Sequence, residues 1–223
     1  MTQLTYLLIT FTLLLSVSYF TAYFWRRIFK GRKYSLIVFP GIVIHELSHL
    51  IGCIITLAKV KKVKLFSMSG GYVRHKKPKI PIIGKPIISL FPIVGGTLSL
   101  IFIYRLIGLR LPTFQLSQDF FYQFKILFTD NWNNYIFWIA IYLSISIIIS
   151  IIPSKKDFKN SFFGLLVIFA ILTLAFEFFA LKTPPFLLQA QSSIVFSLSV
   201  GVIVLIFSGL AFGFKKLILG VFC

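Results

Sequence analysis

The sequence predicts an all-α polytopic membrane protein of about six transmembrane helices, with a small β-hairpin loop between the second and the third. Three observations predict it. Of 223 residues, 58% are hydrophobic and 13% charged, and the mean hydropathy is +0.95. A soluble domain is less apolar and carries roughly a quarter charged residues. Charge-poor apolar runs recur at 4–25, 34–58, 86–104, 132–153, 161–181 and 194–214, each near the roughly 20 residues an α-helix needs to cross a bilayer. Between the second and third runs, "KVKKVKLFSMSGGYVRHKK" sets β-branched and aromatic residues on either side of Gly70-Gly71, the pattern of a hairpin with a glycine turn.

The first span is longer than a signal-peptide core and is followed by Trp25-Arg26-Arg27, not by a small-residue cleavage site, so it reads as a retained anchor. Residues 1–33 form this anchor helix and a basic loop. In the second span Pro40-Gly41 starts or bends a helix. The hairpin that follows offers a strand edge for main-chain pairing, or a basic surface for anionic headgroups. In the third span Pro92 frees a backbone carbonyl that kinks the helix or lines a cavity, and Gly95-Gly96 lets helices approach closely. The fourth span runs into "SIIISIIPSKKDFKN", and the last two, within 161–223, carry no chemistry that can be named.

The formal net charge of +18 does not point to nucleic acid, because the basic residues lie between the apolar runs. The bilayer is the partner they imply. With the N-terminus inside, 14 of the 23 basic residues face the cytoplasm, whereas the five charges of "WRRIFKGRK" lie outside. Cys53 and Cys223 imply no disulfide framework.

The second span also contains "FPGIVIHELSHLIGC". Ionisable groups are costly in such a segment and mark function there. His45 and His49 are four residues apart, so both imidazoles leave one helix face a turn apart, the spacing that two ligands of one zinc ion require. Glu46 stands beside them as the base that takes a proton from the attacking water. With three histidines and five acids in the chain, two histidines and one acid in a single pentapeptide form a metal site. A third ligand comes from His75, Asp119, Asp130, Asp157 or Glu177. His75, Asp119 and Asp130 read as loop residues. Glu177 near the end of the fifth span and Asp157 after the fourth remain, and the expected topology places His49 and Asp157 in the same cytoplasmic half.

An H-E-x-x-H within a membrane span, then a basic β-like loop, another span, and a Pro-containing turn with Asp at the cytoplasmic end of a span resembles the site-2 protease class of intramembrane zinc metalloproteases. The resemblance covers roughly residues 35–160, and it makes 34–160 the metalloprotease core of three spans, hairpin and outer loop. The stretch Ile152-Pro153-Ser154-Lys155-Lys156-Asp157-Phe158 departs from the Asn-Pro and Asp-Gly usual in that class. The resemblance implies zinc on His45, His49 and Asp157, with Glu46 as catalytic acid/base. It also implies a membrane protein or peptide as substrate, in the plasma membrane of a prokaryote, with the active site toward the cytoplasm. The alternatives are a non-proteolytic zinc-binding membrane scaffold and an ion- or proton-coupled transporter.

Overall fold

Helices dominate because long apolar runs leave backbone N–H and C=O groups no partners but each other. The computed structural model describes residues 3–106, 120–152, 154, 157, 159 and 185–221. Among these, the order is α1 (Gln3–Ile28), α2 (Arg32–Ile37), α3 (Phe39–Ile55), β1 (Val60–Lys64), β2 (Tyr72–His75), α4 (Pro81–Leu106), α5 (Phe120–Asn131), α6 (Tyr135–Ser150) and α7 (Pro185–Val221). The expected mostly helical chain with one hairpin is therefore present. The apolar run 34–58 is divided into α2 and α3 at Val38. Pro40 sits in the first turn of α3, where its missing N–H removes no helical bond.

Two helical segments among the described residues, Ile83–Leu106 and Ser193–Leu217, are long and apolar enough to cross a membrane. Phe39–Ile55 and Tyr135–Ser150 are apolar but shorter. The expected fifth span, 161–181, lies outside the described residues. Phe102, Leu106, Phe207 and Leu210 are 65–70% exposed, an outward apolar surface of the kind that hydrocarbon covers.

α3 packs against α4 and α6, and α1 against α7. A shared core joins four helices through Leu14, Leu100, Tyr104, Phe137, Ile147 and Phe196. The buried Tyr104 hydroxyl is satisfied by Ser197 Oγ at 3.1 Å. At the α3–α6 crossing, a side chain on residue 41 would strike the Ser146 carbonyl, and the Gly41 N–H instead donates to Ser146 Oγ at 2.8 Å. Glycine is what lets these two helices touch. α1 is fixed to α7 by Trp25 Nε1–H donating to Ser208 Oγ at 2.7 Å and by Phe24 against Phe212. Lys215 Nζ also donates to the carbonyls of Arg27 and Ile28, at 3.2 and 3.0 Å. Those are among the carbonyls that a helix end leaves without partners.

β1 and β2 pair antiparallel with Val63 opposite Val73, and the register slips between Val60 and Lys62. The hairpin lies along α3. Its base packs at the C-terminal end, where Val60 and Val73 meet the cluster of Cys53, Ala58 and Ile88. Its tip reaches the N-terminal end, where Phe66 meets Phe39 edge to face with centroids 5.3 Å apart. The connecting loop thus passes Glu46 midway.

Candidate metal centre

α3 sets the two histidine rings 4.8 Å apart, centroid to centroid, and nearly perpendicular. Each ring is oriented from behind. His45 Nδ1–H donates to the carbonyl of Ser150 at 2.7 Å, and His49 Nδ1–H donates to the carbonyl of Ile88 at 2.8 Å. A carbonyl only accepts, so the proton of each neutral imidazole is on Nδ1 and the Nε2 lone pair is left for a ligand. Both carbonyls are free for reasons visible in the sequence. Ser150 is the last residue of α6, where helical carbonyls run out of N–H partners. Ile88 lies four residues before Pro92 inside α4, and proline has no N–H to offer it.

The third group is Asp157. Its Oδ2 lies 3.5 Å from His49 Nε2. Ser154 holds it reciprocally: the Ser154 N–H and Oγ–H donate to Asp157 Oδ2 at 3.1 and 2.5 Å, and the Asp157 N–H donates to Ser154 Oγ at 3.2 Å. This is the exchange of a capping box. Burial works against the charged form of Asp157, and the hydrogen bonds from Ser154 work for it.

The donor atoms of His45, His49 and Asp157 all lie within 4.8 Å of one another. A tetrahedral zinc with donors at about 2.0–2.2 Å separates them by about 3.4 Å, so the His49–Asp157 pair already has the needed spacing. With Nδ1–H given to Ile88, a neutral His49 turns a lone pair toward a carboxylate. A proton or a metal cation must sit between them, and the donor set therefore fits a metal ion.

Glu46 is buried and lines, with His45, a cavity of about 870 Å³. The hairpin loop closes over it: a side chain at residue 71 would collide with Glu46 Cγ and with the Leu65 carbonyl, so only glycine lets the chain pass. α1 also lines the cavity, through Tyr19, Tyr23, Arg26 and Arg27.

Asp157, Glu46 and both histidines are thus brought together at this one place. His75 lies in β2 with its Nδ1–H toward the Lys76 carbonyl, and Asp130 lies in α5, both outside the metal-capable group. Asp119 and Glu177 fall outside the described residues. Ser154 was missed in the sequence, although Ser-x-x-Asp at 154–157 is a capping-box signal. Ser150 and Ile88 were missed because a backbone carbonyl leaves no mark in residue identity. Comparisons with protein-family models, with curated proteins and with solved structures find no match to this chain.

Proposed function

We propose that this chain is an intramembrane zinc metalloprotease of the site-2 protease kind, a six-span protein that hydrolyses peptide bonds in membrane-embedded or membrane-proximal substrates. The observation that carries the reading is the convergence of His45, His49 and Asp157, with His45 and Glu46 lining one cavity. His45, His49 and Asp157 would hold the zinc ion, which when bound would supply the Lewis acidity for activating water and polarising a scissile carbonyl. Glu46 accepts the proton of the attacking water on its carboxylate and then delivers it to the departing amine nitrogen. The Ser150 and Ile88 carbonyls keep the imidazoles aimed while the substrate changes. A transmembrane substrate hides its amide carbonyls in its own helix, so it must be held unwound. The hairpin beside Glu46 offers an edge on which an extended segment can pair.

The test is metal content and peptide cleavage measured on the same detergent-purified samples. Glu46→Gln should keep about one zinc per chain and lose cleavage by at least about 100-fold, within the span expected for removing a general base. His45→Ala and Asp157→Ala should lose both metal and cleavage. Bound zinc in the unaltered protein, with no cleavage of any membrane peptide offered, would instead make the chain a metal-holding scaffold.

A further inference from the structure

We propose that Arg26 and Arg27 form a carboxylate-binding subsite in the cavity that holds His45 and Glu46, so that the chain selects peptides bearing a carboxylate near the bond it cuts. The inference rests on the hydrolase reading above. Tyr19, Ala22, Tyr23, Arg26 and Arg27 recur at helical spacing on α1 and together line the cavity, so they form one stripe. The stripe changes from aromatic to cationic toward the end of the helix. A cavity of about 870 Å³ has room for a few extended residues, within the range of ligand sites generally.

Two features set these arginines apart from ordinary basic flanks of a membrane span. The first is placement: of the five basic residues at 26–33, Arg26 and Arg27 line the cavity, whereas Lys30, Arg32 and Lys33 do not. The second is preparation. The Arg26 guanidinium lies over the Tyr34 ring at 5.7 Å from the centroid, and that of Arg27 over Tyr23 at 5.2 Å. Face contact of this kind steadies a guanidinium while leaving its N–H edge free for the two oxygens of a carboxylate. Among the described residues no carboxylate of the chain pairs with either one. Among the described residues, Glu46 is the carboxylate that lines the cavity, and it pairs with neither arginine. A substrate carboxylate is the complement that is missing. It can come from an Asp or Glu side chain or from a free C-terminus, which offer the same two oxygens.

The experiment uses the full-length chain with Glu46→Gln in neutral detergent, so that nothing is consumed. The probes are apolar peptides with a neutral fluorophore that differ at one position, Asp, Asn or Lys, each with an amidated or a free C-terminus. The Asp or free-acid peptide should bind about tenfold more tightly than the amidated Asn peptide at low salt, as charge-assisted hydrogen bonding implies. Which of the two shows the preference identifies the source of the carboxylate. Arg26→Gln with Arg27→Gln should erase it, while Lys30→Gln with Lys33→Gln, an equal change in charge, should leave it intact. No preference in the unaltered chain, or an equal loss in both double variants, overturns the subsite. So does its abolition by anionic phospholipid added to the micelles, which would assign the arginines to headgroups. Bound zinc verifies folding of each variant. If the chain with Glu46 restored cleaves none of these peptides yet the carboxylate preference persists, the hydrolase reading fails and the subsite stands.

Discussion

At the scale of single residues, the aim of both histidines depends on carbonyls released by helix chemistry. Pro92 is therefore a positioning residue, although it lies on another helix from the metal-binding motif. Pro92→Ala gives α4 an N–H that competes with His49 for the Ile88 carbonyl. Removing an interior proline relieves a helix by about 3 kcal/mol of intrinsic propensity, so thermal stability should hold or rise. Zinc affinity should nevertheless fall by about 10- to 100-fold, the range for losing a ligand's supporting hydrogen bond. Competition with a chromogenic chelator would measure it, and unchanged affinity would show that His49 needs no such support. The proline was legible as a source of a free carbonyl, but its beneficiary was not, because the i to i−4 arithmetic identifies Ile88 without saying which side chain faces it.

At the scale of elements, the hairpin and α3 work as a pair. Hydropathy placed α1, α3, α4, α6 and α7 but not α5, whose stretch read as a polar connection, and Gly70-Gly71 placed the turn. Neither told that the hairpin folds back along α3 as far as Phe39. The nine basic residues in 59–85 read as a strand edge or a headgroup-facing surface, and only the packing of Phe66 and Gly71 reveals the return path. Backbone of this kind is tolerated at membrane depth where it lines a cavity. Gly71→Val should push the loop off Glu46 while leaving His45, His49 and Asp157 untouched. Zinc stoichiometry should stay near one while cleavage drops at least about tenfold, since misplacement by about 1 Å has costs of that order or more. Loss of metal together with activity would mean that the hairpin supports the ligands themselves.

At the scale of the whole molecule, hydropathy and the positive-inside count favour the N-terminus inside, whereas the cavity gathers Phe29 and Gly31 with Gly70, Gly71 and Ser154. The N-terminus inside places Lys30 and Lys79 on opposite faces of the membrane. With Cys223→Ser and one cysteine introduced at either position, an impermeant thiol reagent added to intact cells should label the Lys30→Cys chain and spare the Lys79→Cys chain. Labelling both, or the reverse pair, would overturn that orientation. Cys53 is buried and should stay silent. The role of α1 was hidden at this scale, because Arg26 and Arg27 close a hydrophobic run and read as a boundary mark until the other residues lining the cavity are known. The clamp from Lys215 to the end of α1 has a consequence in time. It joins residues 188 positions apart, so a ribosome must add most of the chain after Arg27 before the lysine that fixes it exists. The wall of the cavity is settled late in biosynthesis, well after the His-Glu-x-x-His helix has been made. A nascent chain would thus carry His45, Glu46 and His49 through most of translation before the contact that fixes the end of α1 can form.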